Sequence, residues 1–584
     1  MGKGRRKSRS GDVRSIAPQS PNLPEASATA RSVHDCLAHL GLADWCETTG
    51  DRLLEWPPDV FAATAYVLRE SGAYVQLVHP GGARLEDWRE RVETAGVEWR
   101  NKAPTYPRRV RELFAAFRKL ARTKLADLRI NTACHDVVEL CCIADHACRT
   151  IGLPDHRWSD LSKEALRADY RFRAWLGHLQ TRESPSGGGS PLASPASTFA
   201  RHIHPSRAIV LPKMRTPQSG VTVRSLSHHA ALITGSDIVP HWNVVEPPMP
   251  GRPPRAPYNL LVVPYPYDVR PAQFSAYAPP KSLRDKCPEV MRFFSFDHGE
   301  VPDTFETDVG KLIKCAERDV GPVHGLVFPE MAMRASDFET RVLKGLLRDD
   351  MPGSLEFIVC GVYDLPTPEQ LGSNFAIVAR RDGAKPKGQR VWTLRQHKHH
   401  RWILDEGQIR NYGLGSILDP SFRWSEAVSL PGRDLHFFHL DNHCVFSVLI
   451  CEDLARPDPV GDCLRAVGPN LVVALLLDGP QLPDRWSARY AMALADDPGS
   501  SVLTVSSLGM VKLSKPLDRE STKLRAIGLW REPGSGTIPI IMDDGAKGVV
   551  LSLTQRPNQE FTLDGRGDET NAGCLRLGGI RSVG

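Results

Sequence analysis

The stretch Val445-Phe-Ser-Val-Leu-Ile-Cys-Glu-Asp453 decides how this chain is read. Its uncharged, β-branched and aromatic start predicts a buried strand. A thiol, Cys451, then stands where the strand stops, the place where α/β folds present reactive groups. Taken alone, a Cys after Ile is a small buried hydrophobe. Two other residues occupy the same kind of place. Glu330 closes Gly325-Leu-Val-Phe-Pro-Glu330, and Lys398 lies just past the apolar run 391–394. Singly, such a Glu is an acid at a helix N-terminus and such a Lys a solvated edge residue.

Outward from this stretch, strand-like and helical patterns alternate. Residues 259–263, 325–328, 357–362, 375–379, 391–394, 471–477 and 501–506 predict strands, and 338–347 and 486–494 predict helices. Residues 435–440 and 444–450 predict a strand pair across Asp441-Asn442. Alternation on this scale predicts an α/β domain whose sheets are covered by helices. It is expected over 257–560, followed by a C-terminal tail, 561–584.

The part before it differs. Residues 1–30 lack apolar periodicity and read as a disordered basic tail carrying Lys3, Arg5, Arg6, Lys7 and Arg9, a solvated terminus more than a nucleic-acid contact. Residues 31–183 read as a mainly α-helical domain, with helices over 51–75, 110–130 and 132–148. In 110–130, Val110, Leu113, Phe114, Phe117, Leu120, Leu125 and Leu128 recur at helical spacing. The run 184–197 is Gly-Ser-Pro-rich, and 184–256 reads as linker and transition segment.

Bulk properties exclude several classes. A 584-residue chain is too long for one core. Its 41% apolar and 24% charged residues are those of a soluble globular protein, and a net charge of +6 is modest for this size. The longest apolar run, 471–477, is far short of the ~20 residues of a membrane helix. No apolar segment follows the basic N-terminus, so a cytoplasmic location is expected. Thirteen cysteines, an odd number, read as reduced thiols in such a compartment. Cys134, His135, Cys141, Cys142, His146 and Cys148 invite a zinc reading, with Cys142 and His146 on one helical face. No Cys-x-x-Cys pair occurs there, and Val137, Val138, Leu140, Ile143 and Ala144 make the stretch a buried helix. Neither metal nor cofactor is expected.

In the order Glu, Lys, Cys, the chain resembles the nitrilase, or carbon-nitrogen hydrolase, superfamily. The features are a Phe-Pro-Glu strand end at Glu330, a Lys-x-His segment at Lys398 and His400, and Cys451 after an apolar strand. Gly372-Ser-Asn374, Pro469-Asn470, Trp486, Arg489 and Gly509 match smaller features of the pattern. The resemblance covers about residues 257–560. It implies a four-layer α-β-β-α sandwich and a homo-oligomer, commonly a dimer. It also implies a second Glu on the loop after the Lys, and Glu406, beside Asp405, is the expected residue.

The residue types fit the chemistry without the family. A thiolate nucleophile splits amide hydrolysis into acylation and deacylation. A thiol of pKa about 8.5 needs a base, and Glu330 is expected to take its proton and hand it to the departing amine. Lys398 and the backbone N–H of Glu452 are expected to hold the tetrahedral oxyanion, at roughly 3–4 kcal/mol per donor.

Cys451-Glu452-Asp453 resembles amidase and glutamine-amidohydrolase branches, whereas nitrile-cleaving members show Cys-Trp-Glu, so a small-molecule amide is the expected substrate. The Ser-Gly-Gly-x-Asp-Ser loop of an attached synthetase is missing. Asn259-Leu-Leu-Val-Val-Pro lacks the family's Gln, and Asp496-Asp497 replace its Glu-Asn. Loops over 301–320 and 407–430 are expected to wall the pocket. A second reading makes the chain a regulatory or conflict-system protein, its helical domain binding a protein partner and its nitrilase-like domain acting as sensor or effector.

Overall fold

Ser32 starts the first helix by a reciprocal cap: its hydroxyl accepts the Asp35 N–H at 3.1 Å while the Asp35 carboxylate accepts the Ser32 N–H at 3.0 Å. The computed structural model describes residues 31–74, 83–129, 134–149, 151–152, 197–214, 216–217, 222–235, 238–243, 257–347, 354–381, 391–441, 444–514, 525–558, 560–567 and 572–584. The expected tail over 1–30 and most of the Gly-Ser-Pro run lie outside them.

Helices α1 (Val33–His39), α2 (Pro57–Ser71), α3 (Ala83–Lys102), α4 (Arg108–Lys119), α5 (Leu125–Leu128) and α6 (Cys134–Ala147) form the first part. The stripe expected in 110–130 is real, with Val110, Leu113, Phe114 and Phe117 buried, but the helix stops at Lys119. Its continuation is interrupted because the chain there pairs with the N-terminal segment: Val33 N–H donates to Thr123 O at 2.9 Å and Leu125 N–H to Arg31 O at 2.9 Å. Cys134, Cys141, Cys142 and Cys148 are buried along or just beyond α6, where burial pushes the Cys141 thiol up to about 12. Among the described residues no group of three or more His, Cys, Asp or Glu is set to hold a metal ion, and no helix is long and apolar enough to cross a membrane.

The expected linker region, 184–256, contributes structure where it is described. Strands β1 (Ala208–Pro212) and β2 (Ala230–Thr234) pair antiparallel, and β3 (Val239–Asn243) joins a large sheet. These strands fall in the stretch from residue 200 on, where the sequence shows short β-prone pieces without settling what they form.

The remaining strands are β4 (Tyr258–Val262), β5 (Phe274–Tyr277), β6 (Met291–Phe296), β7 (Gly325–Val327), β8 (Met333–Arg334), β9 (Phe357–Asp364), β10 (Ser373–Arg381), β11 (Val391–His397), β12 (Ile403–Leu404) and β13 (Arg423–Glu426). After them come β14 (Asp434–Asp441), β15 (Cys444–Ile450), β16 (Leu471–Leu476), β17 (Ser501–Ser506), β18 (Ala526–Arg531), β19 (Thr537–Ile541), β20 (Gly548–Asn558) and β21 (Ala572–Val583). One sheet runs β11-β10-β9-β7-β4-β20-β21, with β8 beside β9, and a second runs β19-β18-β17-β16-β15-β14-β3. A small sheet, β12-β13-β6-β5, stands apart. The expected C-terminal tail is therefore corrected: β21 pairs antiparallel with β20 along its length. The expected loop over 301–320 is mostly helix α7 (Phe305–Val320), with Val309, Leu312, Ile313 and Ala316 buried at helical spacing.

Alternation along the first sheet assigns its two faces. Leu260, Val262, Val327, Phe357 and Val359 share a core with the second sheet, where the Phe357 and Phe446 rings lie 5.2 Å apart. Leu261, Leu326, Phe328 and Ile358 point the other way, into a core with Val309 and Ile313 of α7. The two sheets thus face each other with helix on the far side of the first.

Asp145 of α6 locks the first part to the rest. Fully buried, it accepts the N–H groups of His228, His229 and Ala230 at 2.8, 2.8 and 3.0 Å and faces Arg566 at 3.3 Å. Arg566 also donates to Asp564 at 2.8 Å, and Trp88 donates to the same carboxylate at 3.0 Å. Removing one partner of a buried, hydrogen-bonded pair costs far more than an exposed pair is worth. Asp145→Ala is expected to lower stability by about 3–5 kcal/mol in urea unfolding followed by circular dichroism. A loss under about 1 kcal/mol, the range of surface substitutions, would contradict the lock.

Candidate active site

Strand ends of both large sheets deliver the three residues that the sequence singles out. Glu330 follows β7 across Phe328 and Pro329, passing so close to β9 that a Cβ on Gly361 would lie 2.3 Å from Pro329 O and 2.5 Å from Glu330 Cα. Only glycine fits that crossing. Lys398 comes straight off β11, and its N–H donates to Asn374 O at 3.2 Å. Cys451 follows β15, and its N–H donates to Leu475 O at 2.8 Å. It turns the chain at φ 48°, ψ −107°, a strained conformation for a non-glycine residue, into a short helix over Glu452–Ala455. That turn leaves the first helical N–H groups, Glu452's among them, beside the thiol and without helical partners. All three side chains are buried.

The structure brings Glu330 and Lys398 into contact and adds a fourth residue. Lys398 Nζ lies 2.7 Å from Glu330 Oε1 and 2.7 Å from Glu426 Oε2. Asn374 Nδ2 ties the same carboxylates together, donating to Glu330 Oε1 at 2.8 Å and Glu426 Oε1 at 2.7 Å. The Trp402 N–H donates to Glu426 Oε2 at 3.1 Å. Two of the three ammonium donors are thereby used. Glu330 Oε2 is buried with no hydrogen-bond partner among the described residues.

Glu426, not Glu406, stands beside Lys398. Asp405 caps a helix over Glu406–Asn411, accepting the Gln408 N–H at 2.8 Å, which leaves Glu406 on an exposed first turn paired with Arg410. Glu426 ends β13, inside the expected loop 407–430, and β13 is held by parallel pairing to β6. Arg-Trp-Ser-Glu has no apolar run to mark it in sequence, and pairing with β6 on one side and β12 on the other places its last residue.

Electrostatics follow from burial and proximity. Burial raises the Glu330 carboxyl, with Lys398 opposing and Glu426 reinforcing. Burial works against the Lys398 ammonium, but Glu330 and Glu426 outweigh it and hold its pKa well above the ordinary lysine value. Burial and Glu330 push the Cys451 thiol well up, while Lys398 pulls it down. At neutral pH the site therefore holds a thiol, not a free thiolate, beside a fixed cation.

Neighbouring groups hold the loops in register. Asp453 accepts the N–H groups of His399 at 3.1 Å and His400 at 3.0 Å, and His400 Nδ1 lies 2.9 Å away, so the residues after Cys451 and after Lys398 are fastened to one carboxylate. Asn470 receives the Val445 N–H at 2.9 Å and donates to Gly573 O at 2.7 Å, fixing the start of β15. At the end of β16, next to the strand that leads to Cys451, Asp478 gathers Tyr412 at 2.6 Å, Arg485 at 2.7 Å and Trp486 at 2.9 Å. Gly509 packs so tightly that a Cβ would lie 2.6 Å from Val269, whereas Arg489 is exposed.

No protein-family model and no curated protein matches the chain. Among solved structures it is similar to an amidase from Nesterenkonia sp. bearing the acetamide moiety of fluoroacetamide at its active-site cysteine, with 12% identity over 51% of this chain and 90% of that one, at a TM-score of 0.30. It is similar to Nit3 of Saccharomyces cerevisiae, a member of branch 10 of the nitrilase superfamily, with 13% identity over 51% and 90% of the two chains and a TM-score of 0.27. A carbon-nitrogen hydrolase from Helicobacter pylori shows 10% identity over 51% and 82%, with a TM-score of 0.26.

The opposed effects of Glu330 and Lys398 on Cys451 make its reactivity a readout of the site. Lys398→Met removes the charge that favours the thiolate, so alkylation of Cys451 by iodoacetamide, mapped by peptide mass spectrometry, is expected to slow about tenfold or more. An unchanged rate in a folded variant would contradict the arrangement.

Proposed function

We propose that this chain hydrolyses a non-peptide carbon-nitrogen bond, an amide of a small molecule, through a thioester on Cys451. The observation that carries the proposal is the buried Lys398 ammonium bridging Glu330 and Glu426 beside a thiol on a strained turn. Such a site is costly to bury and does nothing for packing that apolar side chains would not do better.

Each group has a role that its geometry supports. The free oxygen of Glu330 accepts the Cys451 proton as sulfur attacks the amide carbonyl. Negative charge gathers on the carbonyl oxygen, where the third Lys398 N–H and the Glu452 backbone N–H stabilise it. Collapse breaks the C–N bond, and Glu330 passes its proton to the departing amine. Water then enters, Glu330 takes a proton from it, and its oxygen attacks the thioester. The acid leaves, and Cys451 regains its proton. Glu426 touches Lys398 and orients it, the part that the sequence reading gave to Glu406. Amide is preferred to nitrile because Cys451-Glu452-Asp453 resembles the amidase branches, whereas nitrile-cleaving members show Cys-Trp-Glu.

The face-to-face sheets support a four-layer α-β-β-α arrangement. Its partners in this reading are an amide substrate and further copies of the chain. A regulatory use of the helical part is the second reading, favoured by the Asp145–Arg566 lock, which ties α6 to a segment following β20.

Ammonia release from a panel of small aliphatic and aromatic amides tests the reaction. Wild type is expected to turn over at least one of them, Cys451→Ala none, and Glu330→Gln is expected to lose about 10²-fold or more in kcat/KM. Retained turnover in Cys451→Ala would overturn the nucleophile. The base must be ionised, so the rate rises with pH through the Glu330 pKa. Because that pKa is raised, the acid limb is expected above the ordinary glutamate value of about 4.3. An acid limb at or below that value would contradict the assignment of the base.

A further inference from the structure

A cavity of about 300 Å³ lies between the N-terminal helices and the second sheet's helical cover, and none of Glu330, Lys398, Glu426 and Cys451 lines it. Its walls come from three places. Phe61, Ala65 and Arg69 descend one face of α2 at four-residue spacing. Ala231 and Ile233 of β2 supply the floor. Arg465 and Ala466, from the helix over Gly461–Val467, close the third side.

Two features make this a built site. The space is kept open by small side chains, Ala65, Ala231, Ala466 and Ser227, where larger ones would fill it. The pocket opens to solvent, and apolar surface left facing water in such a recess is stabilised when a ligand covers it. The size stands at the lower end of small-molecule pockets, about 300–1,000 Å³, and junctions between parts of a chain are where such pockets form.

Its polarity is graded. Phe61, Ala65, Leu226, Ala231 and Ile233 are buried around the interior, whereas Arg69, Arg465 and Asp497 are partly exposed at the mouth. The guanidinium groups of Arg69, Arg224 and Arg465 and the carboxylates of Asp462 and Asp497 line the cavity, and Arg69 also pairs with Glu70 at 3.0 Å, both side chains partly exposed. Arg224 is buried and fixed, donating to Met214 O at 2.9 Å and Thr216 Oγ1 at 3.0 Å, and it packs on Gly468 where a Cβ would collide. Arg465 meets Asp497 only at 3.5 Å with both side chains partly solvated, a pair weak enough to yield to a better anion.

We propose that this cavity binds a small organic anion: a flat apolar body seated against Phe61 and Ile233, with its carboxylate or phosphate at the mouth between Arg69 and Arg465. Bidentate pairing with guanidinium favours either oxyanion.

The test uses the full chain and 8-anilinonaphthalene-1-sulfonate as fluorescent probe, a flat apolar body with an anionic group. One saturable equivalent is expected, displaced by 2-naphthoate or 2-naphthyl phosphate at concentrations about tenfold or more below those needed for uncharged 2-naphthalenemethanol. Whichever anion competes better names the source. Ala65→Trp, which fills the space, and Arg465→Glu, which reverses a charge at the solvated mouth, are each expected to weaken the probe about tenfold or more. The proposal is overturned if no saturable binding occurs, if the uncharged alcohol competes as well as the anions, or if folded Arg465→Glu binds as wild type does. Neither probe nor variants touch Cys451, so the outcome is independent of the hydrolase reading.

Discussion

A lysine ammonium taken wholly out of water is the constraint around which the C-terminal part of this protein is organised. Lys398 is buried, and a cation there persists only if opposite charge and hydrogen bonds replace its hydration. Glu330 and Glu426 do so at 2.7 Å each. The two carboxylates are themselves buried and close, so each needs the lysine as much as the lysine needs them. Asn374 relieves their repulsion by donating to both. Remove the cation and the two carboxylates lose what keeps them ionised in an apolar interior, so protonation is favoured.

That requirement fixes the architecture around the cluster. Glu330 and Lys398 come from strands of one sheet, Cys451 from the other, and Glu426 from the small sheet. No local segment contains them all, so the cluster exists only when the sheets face each other. The packing of Phe357 on Phe446 and the fastening of His399 and His400 to Asp453 are therefore conditions of the cluster's geometry as well as of stability. Gly361 and the strained Cys451 turn show the same thing locally, since close approach and unusual backbone are kept where they aim a side chain.

How much of this was legible in sequence depends on whether a residue ends an apolar run. Glu330 and Cys451 do, while Lys398 stands beyond its apolar run, because β11 continues through Arg395-Gln396-His397 past the expected limit at 394. Glu426 ends a four-residue strand of mixed polarity, paired with β6 far upstream and with the two-residue β12, so no apolar run marks it in sequence. Glu406 drew attention by standing near Lys398 in sequence, but the Asp405 cap turns it outward. Similarly β3 and β21 were read as linker and tail because their pairing, not their pattern, makes them strands. The helix expected over 110–130 erred for the converse reason: its periodicity was sound, but backbone pairing with residues 31–33 interrupts it.

The most direct measurement is native mass spectrometry of the full chain with a small aldehyde, whose thiohemiacetal places an oxygen where the tetrahedral oxyanion forms. The account predicts one adduct per chain, absent in Cys451→Ala and weakened in Lys398→Met, because the thiol makes the bond and the bridged ammonium holds the oxygen. Equal adduct formation in wild type and Cys451→Ala would contradict it.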